Sequence, residues 1–192
     1  MRVLISISLM MLGLLAIGQE VQTEFTDLDA ALRSPKQVEV LILKRERLKA
    51  WPDDALREFP NLRELNLTSN KIDSLPTDIS YLQNLEILIM TNNKLDSLPK
   101  SIGQLTNLRL LHLGNNEIYH VSPALADLEH LDETELWSNN IYYLPEEMSK
   151  LKNLKVLDLR NIQLNKDHQA DIKSLFDKEK VRMKFSQPCN CG

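Results

Sequence analysis

Apolar residues recur along the middle of the chain in a fixed rhythm. Aligning on Val38, Leu62, Leu85, Leu108, Leu131 and Leu154 gives spacings of 24, 23, 23, 23 and 23 residues. After each anchor the pattern is L-x-x-L-x-L-x-x-N-x-L. Unit two reads Leu62, Leu65, Leu67, Asn70, Ile72 and unit three reads Leu85, Leu88, Met90, Asn93, Leu95. Unit four reads Leu108, Leu111, Leu113, Asn116, Ile118, and unit five reads Leu131, Thr134, Leu136, Asn139, Ile141. Units one and six carry Glu46 and Ile162 where the others carry asparagine. A second half, L-P-x-x-I/M-x-x-L, follows in units two, three and five, beginning at Leu75-Pro76, Leu98-Pro99 and Leu144-Pro145. Unit one has Trp51-Pro52 in its place, and in unit four the proline slips by one residue to Pro123.

The L-x-L segment alternates with period two, which predicts a short strand with its leucines inward and its neighbours outward. One such unit cannot bury its apolar face. Stacked units can, as a parallel sheet over a continuous core. Proline locks φ and pushes the residue before it toward extended backbone, so each Leu-Pro predicts a turn on the far side. The flanks read as caps. Residues 26–34 predict a short helix, capped by Thr26 or Asp27, with Leu28 and Leu32 on one face and Pro35 as the stop. Asn165 predicts the cap of a helix over about 166–178, with Ile172, Leu175 and Phe176 at helical spacing. Val181, Met183 and Phe185 then alternate as a last strand.

The repeated motif resembles the leucine-rich repeat family over residues 38–164. The 23-residue L-P-x-x-I-x-x-L form is most similar to the repeats of Ras-suppressor and Scribble-like proteins and of bacterial exported ones. The resemblance implies an α/β repeat solenoid: a right-handed horseshoe with short parallel strands on its concave face and helical caps at both ends. It also implies that Asn70, Asn93, Asn116 and Asn139 form a structural ladder that pairs backbone groups of neighbouring turns, and that partners bind the concave face.

The N-terminus carries a different signal. Arg2 is followed by an uncharged run from Val3 to Ile17, too short for the ~20 residues of a membrane-spanning helix, and Ala16-Ile17-Gly18 supplies a small-residue cleavage site. The expected organisation is therefore a signal peptide over 1–18, an N-terminal cap over 19–37, six repeats over 38–164, a helix-strand cap over 165–186 and a tail over 187–192. The mature chain is expected to be secreted, periplasmic or at the cell surface, with no membrane span, and to be a monomer. An intracellular scaffold of the Ras-suppressor kind is the alternative if residues 1–18 do not export the chain.

Composition then narrows the function. The chain has 192 residues, 36 of them leucine, with 43% hydrophobic and 5% aromatic residues. Its net charge of −4 argues against a nucleic-acid partner. Five glycines and the absence of any G-x-x-x-x-G-K-S/T or G-x-G-x-x-G run argue against a phosphate-binding loop. Two cysteines exclude a disulfide scaffold or a four-cysteine zinc site. They lie at Cys189 and Cys191, where a strained local disulfide, a weak metal or redox site and a frayed tail all remain open.

The outward strand positions form three columns: Val40, Glu64, Ile87, Leu110, Glu133, Val156; Ile42, Asn66, Ile89, His112, Glu135, Asp158; and Lys44, Thr68, Thr91, Gly114, Trp137, Arg160. Ile87, Ile89 and Leu110 make an apolar centre. His112, Glu133, Glu135, Trp137 and Asp158 make an aromatic-acidic zone beside it. Contiguous exposed apolar surface marks interaction sites, and tryptophan is enriched at binding hot spots. These eight residues are the expected surface for a protein ligand, with a glycan or cell-wall polymer at Trp137 as the alternative. The same carboxylates and His112 also suggest acid–base or cation chemistry. An open sheet face does not enclose a substrate, so neither an enzyme, a metal site nor a cofactor is expected.

Overall fold

The computed structural model describes residues 22–177 and 179–188. The expected export signal and the Cys189 and Cys191 pair lie outside them. Eight strands form one parallel sheet in chain order. They are β1 (Glu24–Phe25), β2 (Val40–Ile42), β3 (Glu64–Asn66), β4 (Ile87–Ile89), β5 (Leu110–His112), β6 (Glu133–Glu135), β7 (Val156–Leu159) and β8 (Arg182–Phe185). This is the leucine-rich-repeat solenoid. The central strand positions Leu41, Leu65, Leu88, Leu111, Thr134 and Leu157 are in register and fully buried. Thr134 takes a leucine position, and its hydroxyl is satisfied by donating to the Leu111 carbonyl at 3.2 Å. The core runs unbroken from Phe25 to Val181.

Opposite the sheet the connections are short. Three-ten helices span Lys100–Gln104, Pro123–Asp127 and Glu146–Lys150, each entered from an extended residue at Pro99, Ser122 or Pro145. Residues 76–84 carry no regular helix, and unit one has a single α-turn, α2 (Asp53–Leu56).

Each repeat turns off its strand through a left-handed residue: Arg45, Ser69, Asn92, Asn115, Ser138 and Asn161, with φ from 51° to 63°, and the first repeat adds a second at Arg47. None is glycine. Left-handed backbone costs a non-glycine residue ~1–2 kcal/mol, and the turn recovers hydrogen bonds. The Ser69, Asn92, Asn115 and Ser138 amides donate to Thr91, Gly114, Trp137 and Arg160 of the next unit at 2.7–3.0 Å. The following asparagine closes the turn. Asn93 Nδ2 donates to the Leu67 and Met90 carbonyls, and its Oδ1 accepts from the Ile72 amide. Asn70, Asn116 and Asn139 repeat the same three bonds one unit apart. At Ile162 no such side chain exists, and the Leu164 amide turns back to the Ile162 carbonyl.

A second ladder runs at the residue before each anchor. Asn61, Asn84, Asn107 and Asn153 each donate Nδ2 to a carbonyl of the preceding unit, and His130 Nδ1 takes the same place against Thr106.

The caps differ from expectation in detail. Helix α1 (Leu28–Leu32) is capped by Asp27, whose Oδ1 accepts from the Ala30 amide. The residue it buries is Ala31, however, while Leu32 is 39% exposed. Pro35 opens a three-ten turn over Pro35–Gln37, the position where proline's missing N–H costs nothing. Helix α3 (Lys166–Leu175), capped by Asn165, ends at Leu175, and Phe176 is already extended. No helix among the described residues is long and apolar enough to cross a membrane.

Candidate functional site

The parallel register assembles the outward columns. Ile87 pairs with Leu110, Leu110 with Glu133 and Glu133 with Val156; Ile89 pairs with His112, His112 with Glu135 and Glu135 with Asp158. Neighbouring strands lie about 4.8 Å apart, so Ile87, Ile89 and Leu110 make one apolar patch bordered on β5 and β6 by His112, Glu133 and Glu135. All six are partly exposed. Trp137, two residues past Glu135, joins the same face.

Trp137 is seated there by its neighbour. Its indole packs directly against Gly114, where an added Cβ would collide with Cε2 and Nε1 of the ring. Its Nε1 donates to Glu135 Oε2 at 3.3 Å. Glycine is required at position 114 for close approach. The imidazole of His112 sits between two carboxylates, Nε2 3.7 Å from Glu133 Oε1 and Nδ1 3.7 Å from Glu135 Oε2. These contacts exceed hydrogen-bond distance. His112 Nε2 is closed off from solvent and has no hydrogen-bond partner.

Asp158 does not belong to the exposed face. It occupies the expected column, but its side chain is 0% exposed and offers no contact surface. Arg160 covers it with a two-pronged hydrogen bond (2.6 and 2.9 Å), and Lys184 of β8 approaches to 3.4 Å. Burial alone would push its carboxyl up; the Arg160 hydrogen bonds and the charges of Arg160 and Lys184 outweigh it and hold the group below its ordinary value. Asn66, in the same column, is likewise buried and accepts from the Thr68 amide and hydroxyl.

Two surface features went unread in the sequence. The residues one before each strand's first outward position alternate in charge: Glu39, Arg63, Glu86, Arg109, Asp132, Lys155. Arg63 pairs with Glu86, and both Arg109 and Lys155 pair with Asp132. The Lys155 hydrogen bond, with help from Arg109, holds the Asp132 carboxyl below its ordinary range against its burial. Extending the repeat alignment by one column would have shown this alternation. On the flank, Tyr119, Tyr142 and Tyr143 are half exposed. Tyr142 and Tyr143 line a cavity of about 330 Å³ against His168 and Ile172 of α3.

The family of leucine-rich repeat regions matches residues 21–180. The chain belongs to the leucine-rich repeat family. Among solved structures it is similar to a leucine-rich repeat protein of Leptospira interrogans, with 28% identity and a TM-score of 0.63 over 78% of this chain and 43% of that one. It also shares its fold with internalin C2 of Listeria monocytogenes, with 24% identity and a TM-score of 0.67 over 85% of this chain and 67% of that one. The chain thus spans less than half of the Leptospira protein's length. No curated protein matches it. The leucine-rich repeat module is generally a non-catalytic binding scaffold, and the eight aligned strands are the part of this one that presents side chains in ordered columns.

Proposed function

We propose that the chain is an exported, non-catalytic leucine-rich repeat module that binds a protein partner through the open face of its sheet, the concave face of the family. The observation that carries this reading is the in-register patch of Ile87, Ile89 and Leu110 bordered by His112, Glu133, Glu135 and Trp137. An apolar centre with a polar rim and an aromatic anchor is how specific protein interfaces are built. The locked seat of Trp137 on Gly114 supports it further, because a pre-ordered side chain loses little entropy on binding. Arg2, the apolar run Val3 to Ile17 and the small residues before Gln19 support export.

The test is partner capture by the mature chain from its native compartment. Ile89→Glu and Trp137→Ala should each reduce capture of the same partner at least tenfold, while Lys150→Glu on the opposite side should leave it unchanged. Equal capture by all three variants, with folding verified by circular dichroism, would remove the open face as the binding surface. N-terminal sequencing of the native protein checks export separately: a start near Gln19 is expected, and a start at Met1 contradicts it.

A further inference from the structure

We infer that His112, Glu133 and Glu135 form a binding site for one divalent transition-metal ion of the zinc type. One ligand atom from each residue lies within 4.8 Å of the other two. Metal–ligand bonds of about 2.0–2.2 Å in a tetrahedral site place ligand atoms ~3.4 Å apart, so the 3.7 Å between His112 Nε2 and Glu133 Oε1 is already close to that spacing. The Glu133 side chain is 33% exposed and has the freedom to close the remainder.

Two carboxylates on a surface would ordinarily be a solvated acidic patch. The imidazole makes the difference. His112 Nε2 is buried, has no hydrogen-bond partner and faces Glu133. A buried polar atom left unpaired is costly and rare in a folded protein, and a metal ion would satisfy it. The outer shell is also in place, since the Trp137 indole N–H holds Glu135 Oε2, the kind of hydrogen bond that orients a liganding carboxylate. Arg160, the cation in the next repeat on this face, spends its hydrogen bonds on Asp158 and reaches Glu135 only through its charge.

The donor set selects the ion. One imidazole nitrogen with two carboxylates suits zinc, cobalt, nickel or copper. Calcium requires six to eight oxygens. Three protein ligands leave a position open toward solvent on the sheet face, for water or for a donor from outside. The metal site stands whether or not a partner binds this face.

Calorimetric titration of the full mature chain with Zn²⁺, and with Co²⁺ followed by visible absorption, tests the site. One ion per chain is expected, bound equally well by a Cys189→Ser/Cys191→Ser variant and at least tenfold more weakly by His112→Gln and by Glu133→Gln. Circular dichroism establishes that the variants are folded. No saturable binding, undiminished binding in His112→Gln, or loss of binding in the cysteine variant would each overturn the proposal. Partner capture is read separately, so failure of the metal site and failure of the protein-binding reading are distinguishable.

Discussion

Asn93 makes three buried hydrogen bonds, two donated to the Leu67 and Met90 carbonyls and one accepted from the Ile72 amide. Asn93→Ala leaves the Ile72 amide unpaired, while the Leu67 and Met90 carbonyls each keep one donor, from Asn70 and Asn116; it should cost about 2 kcal/mol, since an unsatisfied buried group costs ~1–3 kcal/mol. Urea denaturation of the variant measures it; a loss below about 1 kcal/mol would mean that water replaces the side chain. Gly114 has a comparable role on the open face. Gly114→Ala drives a Cβ into the Trp137 indole and should swing the ring into water. The expected readout is a red shift of tryptophan emission, measured in a Trp51→Phe background so that only Trp137 reports. An unshifted spectrum would mean that the backbone gives way instead. At this scale the column alignment placed Gly114 beside Trp137, but not the contact between them, because nothing in a spacing shows which way a ring folds.

The terminal elements show where local pattern stops being sufficient. Asn165, Ile172 and Leu175 announce α3, and the alternation of Val181, Met183 and Phe185 announces β8. Strand β1 went unread because two residues, Glu24 and Phe25, are too few to show alternation. Helical spacing put Leu28 and Leu32 on one face, yet the helix buries Ala31, with Leu28 and Ala30 packed partly against the core and Leu32 left exposed. Asp158 went astray for a different reason. Its cover comes partly from Lys184, a residue outside the repeat. That cover carries a prediction. A carboxyl held below its ordinary value stabilises the folded chain above the unfolded pKa, and this contribution is lost as pH falls through the folded value. Asp158→Asn should therefore lower Tm at pH 7, and the gap to the native chain should close below about pH 4. A gap independent of pH would show that packing, rather than charge, is what Asp158 supplies. At the other end, Tyr81 ties the first repeat down by accepting from Trp51 Nε1 and donating to Asp53, with Arg57 stacked 4.0 Å over its ring. Tyr81→Phe should cost about 1–2 kcal/mol, the order for breaking partly buried hydrogen bonds. Its urea midpoint checks this.

For the whole molecule, the spacing of Leu62, Leu85, Leu108, Leu131 and Leu154 made the fold readable, because only a stacked array buries a face that repeats every 23 residues. The second ladder was missed although Asn61, Asn84, Asn107 and Asn153 recur at the same period. Their position before the anchor carries no hydrophobic signal. The open face was readable as columns of residue types; its chemistry was not, since the seat of Trp137 and the buried nitrogen of His112 depend on side-chain packing. The array holds these groups on rigid strands and in fixed register, and that is what suits it to recognition. The central claim is that the partner contacts this face. Site-specific photo-crosslinking tests it most directly, with a photoreactive residue placed at position 110 on the open face or at position 147 on the opposite side, in the native compartment. A partner adduct from position 110 and none from position 147 is the predicted result. An adduct from position 147 alone would contradict the account.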